Sequence, residues 1–337
     1  MKAIPKQIHI IWLGGDIPQR NRDCIKSFVR ENRSDGWQVN LWIDVNQMLT
    51  NERSRIVKEM GERTPERAAA ESQWNAVAGG GGGDGATMQY LTVYMERRGV
   101  EWGGMRIKQI NSIMGFCSSN GIKLHEVQRD LPGRSNSTYY SGELVKPAAN
   151  FGSASDILRI EILHQFGGIY VDTDIECASS LGEIICHESY PRFSASDPAW
   201  ANGVTEAQWL SDDWWSQNVK VEEVPKISNS IIASHAKCGG LKSYRKLIET
   251  NFKSLATDND LRTLYLNDFR RGTIRMTGPT AASESSGFKK LSLERLHAHA
   301  TDKKAQLDDK LYMRDNWYFP MYKVVDHYFH DWLPVPH

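Results

Sequence analysis

The chain opens on a short run of β-branched and aromatic residues, Ile8-His9-Ile10-Ile11-Trp12, closed by Gly14-Gly15. That pattern predicts a buried strand ended by a turn. Residues 18–30 space their apolar positions as a helix does, and Val39-Asn40-Leu41-Trp42-Ile43-Asp44 reads as a second strand. Strand, helix and strand make a βαβ unit, the seed of a twisted, mostly parallel sheet. From residue 45 to about 120 the pattern turns Glu-, Arg-, Ala- and Met-rich, predicting helices without a clear strand. Residues 79–85 read Gly-Gly-Gly-Gly-Gly-Asp-Gly, which lacks the Gly-Lys-Ser/Thr of a phosphate-cradling loop and is expected to be a connector.

The most informative stretch runs from Ala154 to Asp174. Ile157, Leu158, Ile162, Leu163 and Phe166 recur at helical spacing, Ser153 to Asp156 has the pattern of a capping box, and Gly167-Gly168 ends the helix. Ile169-Tyr170-Val171 follows as a short buried strand, with Asp172-Thr173-Asp174 at its carboxyl end. Ligands of open α/β sheets bind beyond the carboxyl ends of strands, where Trp12 also stands. The expected architecture is a single α/β domain over residues 1–337, with a Rossmann-like, mostly parallel twisted sheet. Residues 45–150 form a helical insertion, and residues 151–337 supply the rest of the core and a C-terminal flap.

Composition narrows the function classes. Lys plus Arg and Asp plus Glu both number 41, so the formal net charge is zero and the basic excess of a nucleic-acid binder is missing. Hydrophobic residues at 40% and charged residues at 24% are ordinary for a globular protein, which excludes disorder and coiled coil. No apolar run reaches the roughly 18 residues of a membrane span, and the stretch from Ile8 to Leu13 is too short for a signal peptide. The five cysteines show no metal spacing and are expected to be small buried hydrophobes in a reducing compartment.

In an extended backbone the carboxylates of Asp172 and Asp174 fall on one side, about 7 Å apart by strand rise. They suit a hard divalent cation beside a phosphate-bearing ligand; the alternative is a pair of solvated surface acids. Ser155, Asp156 and Arg159 share the first turns of the preceding helix and suit a polyoxygenated anion, or form a local ion pair. His187, His297 and His299 lack metal-site spacing, and no Gly-x-Ser-x-Gly elbow is present. Trp200, Trp209, Trp214 and Trp215 read as packing residues before they read as a sugar platform.

Together, Ile8-His9-x-Ile11-Trp12-x-Gly14-Gly15, Ser155-Asp156-Ile157-Leu158-Arg159-Ile160, Gly167-Gly168-Ile169-Tyr170-x-Asp172-x-Asp174, Thr277-Gly278-Pro279 and the late His327-Tyr328-Phe329-His330-Asp331-Trp332 resemble the glycosyltransferase domains of bacterial toxins, the large clostridial cytotoxins above all. The resemblance implies a GT-A fold and retaining transfer from a UDP-sugar with Mn²⁺ or Mg²⁺. It implies nucleotide-sugar contacts from Ile11, Trp12, Ser155, Asp156, Arg159, Tyr170, Asp172, Asn229 and Trp332, and a catalytic set of Asp172, Asp174, Arg159 and Trp332. Asp174 would ligate the metal with Asp172. The family's Glu and Ser upstream of the Trp correspond by spacing to His327 and His330, so His330 joins the candidate metal ligands, although imidazole suits manganese less well than oxygen does. Small residues beside Asn229, namely Ser228 and Ser230, imply N-acetylglucosamine as the sugar. The implied acceptor is a host-protein hydroxyl, plausibly of a Rho-family small GTPase, reached in the host cytosol by a domain of a larger translocated toxin. Two alternatives are an oligosaccharide glycosyltransferase and a non-catalytic UDP-sugar-binding module.

Overall fold

The computed structural model describes residues 1–48, 102–144, 149–196, 201–220, 226–285 and 301–329. Among the described residues the strands are β1 (Lys2–Ala3), β2 (Gln7–Trp12), β3 (Gln38–Ile43), β4 (Lys123–Glu126), β5 (Gly168–Val171), β6 (Ile175–Cys177), β7 (Ile185–Cys186), β8 (Arg192–Ala195), β9 (Ile227–Ser234) and β10 (Val324–Asp326). The helices that position the site are α1 (Gln19–Asn32), α2 (Trp102–Asn120), α3 (Phe151–Phe166), α4 (Gly239–Ser254), α5 (Phe269–Met276), α6 (Pro279–Ser285) and α7 (Lys303–Asn316).

Six strands form the central sheet in the order β4-β3-β2-β5-β9-β8. β4, β3, β2 and β5 run parallel, and β9 alone opposes its two neighbours. The mostly parallel α/β reading therefore holds. The inner strands β2, β3 and β5 are buried on both faces, which is why they read as near-continuous apolar runs rather than alternations. β4 lies inside the 45–150 stretch read as a helical insertion, yet it is the edge strand. Its Lys-Leu-His-Glu sequence is half-buried and carries no apolar run, so periodicity gave it no signal. Residues 79–85 lie outside the described residues.

α3 is apolar almost all round because it is enclosed, with every residue from Ile157 to Leu163 buried between the sheet and other helices. Its cap differs from the expected capping box. Asn150 is the N-cap and accepts from the Ser153 amide at 3.0 Å, so the helix begins earlier, at Phe151. At the other end Gly167 (φ 67°) donates its amide to Leu163, and Gly168 (φ 97°) brings the backbone hard against β2. A Cβ on Gly168 would stand 2.4 Å from the Gln7 carbonyl oxygen. The buried His9 of β2 fastens the same turn. Trp42 Nε1 donates to its Nδ1 at 3.1 Å, which leaves Nε2 to donate to the Gly167 carbonyl at 3.0 Å. Burial lowers His9 to about 3, so it stays neutral.

The five cysteines are free and buried. Trp209 and Trp215 are core residues and Trp214 packs against them, as expected of packing tryptophans; Trp200, His297 and His299 lie outside the described residues. His187 accepts from the Ser189 amide at the surface.

The two glycine environments predict unequal costs. Gly168→Ala lowers unfolding free energy by about 3 kcal/mol or more, because positive φ and a backbone clash combine. Gly121→Ala, at φ 68° with nothing within 4 Å of a new Cβ, costs only the backbone term of about 1–2 kcal/mol. Urea denaturation of both variants measures the difference, and equal losses would contradict this account.

Candidate functional site

Beyond the carboxyl ends of β2 and β5 lies a cleft of about 390 Å³. Trp12 closes β2 and lines one wall. The first turns of α3 supply Ser155, Asp156 and Arg159, β5 delivers Tyr170 and Asp172, and β9 adds Asn229 between Ser228 and Ser230. Of the residues singled out from the sequence, Ile11, Trp12, Ser155, Asp156, Arg159, Tyr170, Asp172, Asp174 and Asn229 all line this one cleft. His330 and Trp332 lie outside the described residues.

The buried guanidinium of Arg159 is the hub. Its Nη2 stands 3.1 Å from Asp156 Oδ1 and 3.1 Å from Asp172 Oδ1, and its Nη1 donates to the Asn229 carbonyl at 2.6 Å. The group also lies over the Tyr170 ring, 4.3 Å from its centroid. The Tyr170 hydroxyl donates to Asp172 Oδ1 at 2.6 Å and sits 3.2 Å from Ser155 Oγ. With 1% exposure, Tyr170 acts on a ligand chiefly by holding Asp172. Asp156 accepts from Asn229 Nδ2 at 2.8 Å and from Thr277 Oγ1 at 2.9 Å, which gives Thr277-Gly278-Pro279 its place in the site.

Burial pushes Asp156 up to about 6 despite Arg159, and pushes Asp172 up to about 6 with the charge of Asp174 adding to the rise. Burial also opposes the charge on Arg159, but the surrounding acids outweigh it and raise its pKa further. These opposing pulls describe a site crowded with acid around one committed cation.

Asp174 is bound by the C-terminal segment. Its Oδ2 accepts from the Phe329 amide at 3.1 Å, and its carbonyl accepts from the His327 amide at 3.1 Å. β10 pairs antiparallel with β6 and puts Asp326 opposite Ile175. Asp326 lines the cleft, and burial, then the charges of Asp174 and Asp172, push it up to about 7. The family's spacing pointed to His327 and His330 in this segment, and His330 lies outside the described residues. The structure instead turns the His327 ring to Glu176, at 2.9 Å, and brings Asp326 toward the carboxylates. No motif marked Asp326, because its address depends on a pairing between segments about 150 residues apart.

Among the described residues, no three His, Cys or carboxylate side chains converge closely enough to hold a metal ion by themselves. Asp174 and Asp326 nonetheless offer hard oxygen donors in a mutually repelling environment. That chemistry fits a divalent cation whose remaining positions are filled by ligand and water.

Comparisons with known proteins identify the family. The family described as the TcdA/TcdB catalytic glycosyltransferase domain matches residues 6–65 and 69–207. "Subversion of eukaryotic traffic protein A" of Legionella pneumophila is 24% identical over 200 residues, which are 59% of this chain and 21% of that relative's length. Among solved structures, PaToxG glycosyltransferase aligns over 96% of this chain and 80% of its own, with 13% identity and a TM-score of 0.51. The catalytic domain of alpha-toxin from Clostridium novyi aligns over 96% and 78%, with 14% identity and a TM-score of 0.53. These two likenesses concern the fold, which is that of toxin glycosyltransferase domains. Among the described residues no helix is long and apolar enough to cross a membrane. The family match covers more than half of the chain and contains Trp12, Arg159 and both acids of Asp172-x-Asp174, and by it this protein belongs to the TcdA/TcdB catalytic glycosyltransferase domain family and is a glycosyltransferase.

Proposed function

We propose that the protein transfers a sugar, with retention of configuration, from a UDP-sugar to a hydroxyl of a host protein, and that Mn²⁺ or Mg²⁺ assists. The observation that carries this reading is the Arg159 hub, which fixes Asp172 at the floor of a cleft with Trp12 on one wall and Asp174 and Asp326 at its edge. Trp12 spends its indole N–H on the Gly15 carbonyl at 2.9 Å, so its ring face is what it offers a uracil. Asp156 and Asn229, each held by buried hydrogen bonds, present fixed polar edges to sugar hydroxyls. The Ser230 hydroxyl lies 2.9 Å from that of Ser194 and 3.4 Å from that of Ser228. Small side chains there leave room for an acetamido group and favour UDP-N-acetylglucosamine.

In the step itself the bond from the anomeric carbon to the β-phosphate oxygen breaks, and the electron pair leaves with UDP. The acceptor oxygen bonds to that carbon on the same face, and its proton passes to the departing phosphate. A divalent cation held by Asp174, with Asp172 and Asp326 beside it, would stabilise the charge on that phosphate. The protein's own part is preorganisation. Arg159 and Tyr170 hold Asp172 still, and no carboxylate nucleophile is needed. A Rho-family GTPase in the host cytosol is the acceptor we favour, by analogy with the family.

Two experiments test the site. The first measures UDP release from a panel of UDP-sugars with Mn²⁺ or with EDTA. Release is expected to be fastest from UDP-N-acetylglucosamine, to stop on chelation, and to fall about 100-fold or more in Asp174→Asn, as loss of one preorganised electrostatic element does. A strong preference for UDP-glucose would sink the donor assignment, and unaffected turnover in Asp174→Asn would sink the metal reading.

The second concerns Arg159→Met, which strands the buried carboxyl of Asp156 and the half-buried one of Asp172 and is expected to cost about 3 kcal/mol of stability at pH 8. Asp156, already raised to about 6, favours the folded state fully only below its unfolded value near 4. That contribution is lost as pH rises through about 6. Without Arg159 the carboxyl pKa rises further, so the variant's deficit is smaller at pH 5 than at pH 8. Equal deficits in urea titrations at both values would contradict the hub.

A further inference from the structure

The charged lining of the cleft, among the described residues, consists of Asp156, Asp172, Asp174, Asp326, Arg159 and one further cation, Arg270 of α5. Arg159 is committed to Asp156 and Asp172. Arg270 is exposed, and no hydrogen bond or ion pair engages it among the described residues. Three features indicate that it faces a ligand. Arg270, Thr273 and Ile274 all line the cleft, and their i, i+3, i+4 spacing puts them on one face of α5. The place of that face is fixed, because Asn150 Nδ2 donates to Thr273 Oγ1 at 2.9 Å and ties α5 to the first turn of α3. Finally, Arg270 occupies the first turn of α5, where the helix dipole disfavours a cation and no acid in that turn offsets it. Its neighbour Arg271 leans on the capping Asp268 at 3.5 Å, whereas Arg270 has no such relief.

The wall beside Arg270 is positive in a second way. Phe151 and Gly152 line the cleft, and as the first residues of α3 their amides have no acceptor within the helix. The cleft therefore carries Asp172, Asp174 and Asp326 at its strand ends, and an arginine plus helix amides where α5 meets the start of α3. We infer that Arg270 is a diphosphate-binding residue of the donor site, gripping the UDP moiety from the α5 side of the cleft. This rests on the UDP-sugar reading above and assigns that reading's anion a direct protein cation.

The test compares binding of UDP and of uridine to the whole domain with Mn²⁺ by calorimetry, in wild type, Arg270→Gln and Arg270→Lys. Both variants alter an exposed side chain and are expected to keep the wild-type melting temperature. Arg270→Gln should weaken UDP about ten- to a hundredfold, as loss of a charge-assisted hydrogen bond does, and should leave uridine within twofold. Arg270→Lys should recover part of the loss by keeping the charge without the fork. KM for the UDP-sugar should rise with the loss of UDP affinity. Unchanged UDP affinity in Arg270→Gln overturns the inference. If transfer to protein then drops while UDP-sugar hydrolysis persists, Arg270 is an acceptor-docking residue instead. Equal weakening of UDP and uridine also overturns it, in favour of a structural role. Failure of the wild type to bind either ligand would defeat the UDP-sugar reading itself, a result separable from the others.

Discussion

A buried guanidinium shared by one buried carboxyl, Asp156, and one that reaches the cleft, Asp172, is the constraint on which the site depends. Arg159 stands on α3 and reaches Asp156 on its own helix, Asp172 at the end of β5, and the Asn229 carbonyl of β9. One side chain thus sets the relation of α3, the adjoining β5 and the more distant β9. Such a cluster adds little net stability over apolar packing, because each charge must leave water. What it gives is placement: the planar fork of an arginine fixes the direction of each acceptor in a way that a lysine point charge would not. Tyr170, pinned beneath the guanidinium and bonded to Asp172, completes the brace.

The brace has an electrostatic consequence. At the cleft edge the charge of Asp174 raises the proton affinity of both Asp172 and Asp326. Asp172 rises to about 6 and Asp326 to about 7, well above ordinary carboxyls. A fold selected for stability alone would dilute such a cluster; one that binds a cation and a polyphosphate gains affinity from it. The same argument explains Arg270, a cation set at the wrong end of a helix dipole. The dianionic ligand and counter-ion that we propose would satisfy both groups at once.

How much of this was legible in the sequence follows from how local each feature is. β2, β3, β5 and α3 were readable to within a few residues, because runs such as Ile8-His9-Ile10-Ile11-Trp12 and the Gly167-Gly168 turn encode their own conformation. The floor of the cleft was readable for the same reason, since Ser155 through Asp174 is one helix–turn–strand unit. The N-cap was misplaced because Asn150 does its work through the Ser153 amide and through Thr273, and the second partner is over a hundred residues away. β4 was missed because an edge strand need not be apolar. Asp326 and Arg270 were invisible because neither belongs to a motif: the first is placed by the β6–β10 register, the second by how α5 docks on α3.

That register also governs the C-terminal segment. β10 leads from Asp326 into Tyr328, whose φ of 51° is an uncommon conformation for a bulky residue. Asp326 Oδ1 accepts the Tyr328 amide at 2.9 Å and supports the bend, which sets Tyr328 on the lining of the cleft. The next residue, Phe329, donates its amide to Asp174, stacks on His327 and lies under Arg20 with 4.6 Å from guanidinium to ring centroid. The segment is therefore held by contacts to the same two carboxylates that the proposed cation would use. Because each carboxylate oxygen has more than one lone pair, metal and backbone amide can share them without exclusion. A cation held by Asp174 and Asp326 would therefore act on the bend that carries Tyr328 as well as on the donor.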